Sequence, residues 1–270
     1  MYSYAETQAS RSALLELGLA LKNYRDEFVL AGGWAPYFIT EGHFEHSGSR
    51  DIDLIIRTDR EIEQRYKSIR KIIQDIGYTP ENDFRFVKDI PCHVDGVLYP
   101  IELDLLCDRE GAPLIPPFKL RRVQEDLSAY MFYGLNLAFD FNFEQKIEGI
   151  LPGNGEDKTK IRVADLVGSL ALKGRALGRR NPKDAYDIFA LTHYNGGALA
   201  AAEYFSQAVA DKKLATKRRE LLEDSVSRIT DKFEHEDKSG PYDVWLYSEG
   251  SIERNIAAKQ VNQFLSNITL

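Results

Sequence analysis

No stretch of this chain approaches the roughly 20 consecutive apolar residues that cross a bilayer, so a membrane-spanning helix is not expected. Cysteine is nearly absent. Cys92 and Cys107 are the only two, too few for a disulfide scaffold and not spaced as a zinc motif. The opening residues Met1-Tyr2-Ser3-Tyr4-Ala5-Glu6 lack the charged start and apolar run of a secretory signal, which gives the cytoplasm as the expected location. Positive charge is in deficit: 35 Lys and Arg against 42 Asp and Glu leave a formal net charge of −7. The surface as a whole therefore does not attract nucleic acid by charge. Internal repeats and low-complexity tracts are missing too.

What is there belongs to a globular protein, 43% hydrophobic and 29% charged over 270 residues, room for one large domain or two ordinary ones. The basic residues fall in two clusters: Lys173, Arg175, Arg179, Arg180 and Lys183, then Lys212, Lys213, Lys217, Arg218 and Arg219. The second reads as a solvated helix face.

Leu14, Leu17 and Leu21 share helical spacing and predict a helix over 7–23. Phe28-Val29-Leu30-Ala31 reads as a strand ending at Gly32-Gly33, and Trp34 to Thr40 as a helix with Pro36 tolerated in its first turn. Trp34 itself reads as a core anchor rather than a base-stacking platform. After a loop from His43 to Ser49 comes a strand, Asp51-Ile52-Asp53-Leu54-Ile55-Ile56. Ile62, Tyr66, Ile69, Ile73 and Ile76 predict a helix over 60–76 that Gly77 ends. Val97 to Leu106 reads as another strand, followed by a break at Pro113, Pro116 and Pro117. From about 160 helical periodicity takes over, at 164–178, 183–195, 198–228 (with a break allowed) and 251–267, with Gly153-Asn154-Gly155 as the seam. The fold class is α+β: a domain with a small mixed sheet over 1–160, then a helical domain over 161–270.

Strand side chains alternate between faces, so Asp51 and Asp53 point one way while Ile52, Leu54 and Ile56 point into a core. Two carboxylates so placed repel each other unless a cation or hydrogen bond compensates. Mg2+ (or Mn2+) is the usual answer, since it takes hard oxygen ligands and commonly one or two carboxylates plus substrate phosphates. In Ile101-Glu102-Leu103-Asp104-Leu105-Leu106 the same alternation recurs. If the two strands are neighbours, Asp104 completes a three-carboxylate set that can hold two cations about 3.5–4 Å apart. Glu102 competes with it for third place. Gly32 and Gly33, between a strand and a helix, let backbone N–H groups approach phosphate oxygens. Ser49 is a candidate phosphate donor. Arg50 beside it is a weaker candidate for the nucleotide, its plainer role being a solvated residue. His43 and His46 lie in the loop leading to Asp51; His93 beside Cys92 reads as an ordinary loop residue.

In the helical half, Leu166, Leu170, Lys173 and Leu177 share one stripe, and Asp184, Ile188 and Leu191 another. A bare ammonium on an apolar face is costly. Either these faces border a cleft, with Lys173 neutralising triphosphate charge and Asp184 orienting it or assisting the acceptor, or the two form a structural ion pair. Asp187, one turn on, reads as support for Asp184.

Together, the strand followed by Gly32-Gly33 and the segment Ser49-Arg50-Asp51-Ile52-Asp53-Leu54 resemble the nucleotidyltransferase signature of the DNA polymerase β superfamily. Asp165-Leu166 through Leu172-Lys173, with Pro182-Lys183-Asp184-Ala185-Tyr186-Asp187, resemble the AbiEii-type toxin branch, which includes the MenT-like enzymes. The resemblance covers residues 28 to 195 in fragments. Two features depart from it: the interval from Gly33 to Asp51 is long, and Ser47-Gly48 stand where many relatives carry an arginine. It implies a polymerase-β-like fold and transfer of a nucleoside monophosphate from a nucleoside triphosphate to an acceptor hydroxyl. Asp51 and Asp53 then hold the metals, Asp104 helps activate the acceptor, and Gly32, Gly33, Ser49 and Lys173 hold the triphosphate. It also implies a toxin–antitoxin or phage-defence setting, with tRNA as acceptor and a cognate antitoxin as partner. Two other readings stand beside this one: a small-molecule acceptor of the aminoglycoside kind, which the acidic net charge favours, and a protein that binds a nucleotide or partner without catalysis.

Overall fold

The computed structural model describes residues 2–58, 68–109, 119–177 and 181–270. They divide into two compact units, Tyr2–Trp34 with Ser47–Ala164, and Ala35–His46 with Asp165–Leu270.

The first unit opens with helix α1 (Tyr4–Ala20). Its start is a capping box: Ser3 Oγ accepts from Glu6 N while Glu6 Oε2 accepts from Ser3 N at 2.8 Å, which satisfies two of the amides a helix start leaves bare. Strand β1 (Phe28–Leu30) runs into the glycine turn and helix α2 (Trp34–Ile39), of which only Trp34 belongs to this unit. Then follow β2 (Ile52–Ile56), α3 (Ile69–Asp75), β3 (Thr79–Pro80), β4 (Arg85–Pro91), β5 (Leu98–Asp108), β6 (Leu120–Gln124), β7 (Leu127–Phe132), α4 (Leu137–Asp140), β8 (Asn142–Ile150) and β9 (Glu156–Ala164).

These strands make one mixed sheet in the order β3-β4-β5-β2-β1-β9-β8, with β7 and then β6 added beside the end of β5. β2 lies parallel to β5 on one side and antiparallel to β1 on the other. Both central strands are apolar on two faces: Val29, Leu30, Ile52, Ile55 and Ile56 are buried, as strands flanked on both sides must be. Trp34 is fully buried, its indole Nε1 donating to Ser10 Oγ of α1 at 3.1 Å. It anchors the core and offers no stacking face.

Several expectations change here. The sheet is larger than expected, because β3, β4 and β6 to β9 were not read from sequence. Gly153-Asn154-Gly155 is no seam between domains: it lies between β8 and β9, which pair as an antiparallel hairpin from Ile150↔Glu156 to Asn142↔Ala164. Of the helix expected over 60–76, α3 is the described part, and Ile62 and Tyr66 lie outside the described residues. So do Pro113, Pro116, Pro117, Arg179 and Arg180.

The second unit is helical: α5 (Leu166–Ala176), α6 (Pro182–Leu191), α7 (Ala198–Ala210), α8 (Thr216–Phe233), α9 (Ser239–Tyr247) and α10 (Arg254–Leu265). Asp165 caps α5, accepting from Gly168 N at 3.0 Å, and Asn181 caps α6 just before Pro182. α5 and α8 meet at a glycine. A Cβ on Gly174 would lie 2.6 Å from the carbonyl oxygen of Ser225, a backbone atom that moves only if the helices part. Gly174→Ala is therefore expected to destabilise the protein by about 1–3 kcal/mol through overpacking, although alanine alone favours a helix by about 1 kcal/mol. A urea midpoint equal to or above wild type would contradict this packing. Among the described residues no helix is long and apolar enough to cross a membrane.

Candidate active site

The first unit gathers carboxylates on one sheet face. Parallel pairing sets Ile52 beside Leu103 and Asp53 beside Asp104. One residue earlier on each strand stand Asp51 and Glu102, near enough that Asp51, after burial, is the main influence holding the Glu102 carboxyl above its ordinary value. Four carboxylates thus form a two-by-two array, with Asp104 next to Asp53 and Glu102 next to Asp51.

Two guanidinium groups face this array. Arg85 stands opposite Asp104 in the β4–β5 ladder. It donates from Nε to Asp104 Oδ1 at 2.6 Å and from Nη2 to Oδ2 at 2.7 Å, while Nη1 lies 2.8 Å from Glu102 Oε2. Planar forks of this kind are the strong form of ion pair, and the bonds to Asp104 hold the Arg85 pKa above its ordinary value. Arg50 is looser: its Nε is 3.6 Å from Asp51 Oδ1, and Nη2 is 3.8 Å from Glu102 Oε1. Four negative charges against two positive leave an excess of two negative charges within this group of six. Asp51 Oδ1 is buried and has no hydrogen-bond partner among the described residues, which is expensive for a carboxylate oxygen.

Gly32 shapes the face as well. Its φ is +63°, and a Cβ there would lie 1.8 Å from Asp53 Oδ2, so only glycine leaves the Asp53 carboxylate its place. Ala31 N donates to the carbonyl of Asp53 at 2.9 Å, tying the glycine turn to β2. Gly33 and Ser49 are buried.

Do these residues fit a divalent cation? Hard oxygen donors, an excess of negative charge and an Asp51 oxygen that accepts no hydrogen bond all do. The expected trio is nevertheless not gathered as a ready ligand set: among the described residues no three His, Cys, Asp or Glu side chains are arranged to hold a metal. Both oxygens of Asp104 are taken by Arg85. Asp51 and Asp53 are the candidates for holding the ion, and Asp104 is the residue that would have to be released to join them.

The other candidates lie in the helical unit. Lys173 Nζ is 2.8 Å from Asp184 Oδ1 and 2.6 Å from Asp187 Oδ2. Lys183 Nζ reaches Asp187 at 3.3 Å, and His46 Nε2 lies 2.9 Å from Asp187 Oδ1. Asp187 and His46 are fully buried. Burial disfavours the charged form of each of these groups. At Lys173, closely held by two carboxylates, attraction outweighs it and raises the pKa. At Lys183, farther from a single carboxylate, burial wins and lowers it. Burial would raise the Asp187 carboxyl, but Lys173 and Lys183 hold it below its ordinary value. Two lysines and two aspartates balance when His46 is neutral.

Sequence reasoning found Lys173 and Asp184 but gave Asp187 a supporting part and left His46 in a loop. Asp187 is the hub, bonded to His46, to Lys173 of α5 and to Lys183 one turn earlier on its own helix. The apolar run Ile188-Phe189-Ala190-Leu191 directly after Asp187 was the signal available. Arg85 was missed too, because Arg85-Phe86-Val87-Lys88 does not alternate and β4 was not read as a strand.

Burial holds His46 below its ordinary 6.5, against the pull of Asp187. The unfolded chain therefore takes up a proton, below about pH 6.5, that the folded chain refuses. Stability present above that pH is lost as pH falls, by up to about 1.4 kcal/mol per unit. Melting temperatures between pH 8 and 5.5 should fall more steeply for wild type than for His46→Gln, which keeps a donor for Asp187. Parallel curves would contradict this.

A glycine turn followed by an Asp-X-Asp strand, beside a second acidic strand of a mixed sheet, defines the nucleotidyltransferase class. The chain belongs to the family described as Nucleotidyl transferase AbiEii toxin, Type IV TA system, whose profile matches residues 13–246. Among solved structures it is similar to an antigenic nucleotidyltransferase-like protein from Paracoccidioides brasiliensis, at 15% identity over 85% of this chain and 99% of that one, with a TM-score of 0.43. It is also similar to JHP933 from Helicobacter pylori, at 11% identity over 98% of this chain and 91% of that one, with a TM-score of 0.46. A search of curated proteins finds no match. The assignment rests on the family profile.

Proposed function

We propose that this protein transfers a nucleoside monophosphate from a nucleoside triphosphate to a hydroxyl of an RNA acceptor, tRNA being the candidate, as the toxin of a type IV toxin–antitoxin pair. The carrying observation is the array of Asp51, Asp53, Glu102 and Asp104 with an excess of negative charge and an Asp51 oxygen that accepts no hydrogen bond, Arg50 Nε standing off at 3.6 Å. Mg2+ or Mn2+ held by Asp51 and Asp53 would supply charge neutralisation at the triphosphate and acidity at the attacking oxygen.

The chain's own residues have the following parts. The acceptor oxygen forms a bond to the α-phosphorus, the bond from that phosphorus to the β-phosphate bridging oxygen breaks, and pyrophosphate leaves. The proton of the acceptor hydroxyl goes to Asp104, once one of its oxygens is freed from Arg85. The Gly32–Gly33 backbone and Ser49 are assigned to the triphosphate, with Arg50 as a further cation for it. A family of toxins in paired systems implies a cognate antitoxin as partner.

Incubation with each α-labelled nucleoside triphosphate, Mg2+ and total tRNA tests the acceptor. Labelled RNA is expected. Label only on an added aminoglycoside would move the acceptor to small molecules. No label anywhere would favour a protein that binds without catalysis.

A further inference from the structure

We infer that Arg85 is a built-in competitor for the divalent cation, a positioning residue that acts through Asp104 and decides when that carboxylate becomes a ligand. This rests on the reading that Asp51 and Asp53 take a cation; it adds which residue regulates entry.

The geometry argues for a movable clamp. Three guanidinium nitrogens are all engaged by Asp104 and Glu102, so the acidic strand β5 is half neutralised from inside the protein. Each oxygen of Asp104 keeps a further lone pair while the fork is bound, but the Arg85 charge lying 2.6–2.7 Å from both oxygens repels a cation there and weakens the carboxylate as its ligand. Arg85 also has somewhere to go. Its side chain is 33% exposed, and Glu81, 58% exposed, already lies 3.9 Å from its Nε. A swing toward Glu81 keeps the guanidinium paired while releasing Asp104. A purely structural cross-strand pair needs neither the opening to solvent nor the second acceptor.

The test is Mn2+ binding, with free Mn2+ read by electron paramagnetic resonance, on the full chain as wild type, Arg85→Gln, Glu81→Gln and Asp53→Asn. Fold is checked by circular dichroism. Arg85→Gln should bind Mn2+ about tenfold more tightly, equivalent to about 1.4 kcal/mol. Glu81→Gln, which removes the exposed acceptor, should bind about twofold more weakly, the scale of a surface pair. If Arg85→Gln binds no better than wild type while Asp53→Asn has lost binding, the clamp is wrong and the cation site stands. Asp53→Asn binding like wild type would overturn both. Should Arg85→Gln fail to fold, Glu81→Gln decides: unchanged affinity overturns the clamp.

Discussion

Asp53→Asn is expected to cut nucleotide transfer by about 10²–10³-fold while leaving the protein folded. Losing one charged group at a site of developing charge costs about 3–4 kcal/mol of transition-state stabilisation, and each 1.36 kcal/mol is about tenfold in rate. Asn keeps the shape of the carboxylate, so the close approach of Gly32 is preserved: the space that a Cβ would fill at 1.8 Å remains filled by an amide. Removing one of four neighbouring negative charges also relieves repulsion, so the melting temperature should hold or rise. Transfer rates with labelled nucleotide and a thermal scan on the same sample separate the two effects. A variant within tenfold of wild type would mean that the Asp53–Asp104 face is not where the reaction occurs.

The second large effect concerns stability. Asp187→Asn should destabilise the protein by about 3–5 kcal/mol, the range for breaking a buried ion pair from one side. The reason is specific. Asp187 is fully buried and has His46, Lys173 and Lys183 around it. Without its charge, two buried lysines share Asp184 alone. For a chain of this size about 2–4 °C accompanies each kcal/mol, so the transition should fall by roughly 10 °C. A change below about 1 kcal/mol in urea midpoint would show that the network is solvated rather than sealed.

How much of this was legible in the sequence follows from physical causes. β1, β2 and β5 lie at the centre of the sheet, and their apolar runs, with alternating acids in β2 and β5, identified them; that Asp53 stands beside Asp104 followed only if the two strands were neighbours, which the fold supplies. β8 and β9 escaped because Ile147 is the one deeply buried residue in the middle of Asn142–Ile150; charges on both faces hide a two-residue period. α9 begins Ser-Gly-Pro, which reads as a turn, yet Pro241 sits in its first turn, where a missing N–H costs nothing. In the site, the acids were visible because strand alternation fixes their direction. Their counter-ion was not, because Arg85 reaches Asp104 across a strand pairing that only the folded sheet supplies. His46 and Asp187 met for the same reason, far apart in sequence and joined by packing.

The most direct measurement uses one nucleoside triphosphate labelled in turn on its α- and γ-phosphorus, with Mg2+ and tRNA. Nucleotidyl transfer predicts the α-label on RNA and the γ-label in pyrophosphate, one released for each nucleotide added, with both signals lost in Asp53→Asn. A γ-label appearing on the acceptor, or pyrophosphate released equally by Asp53→Asn, would contradict it.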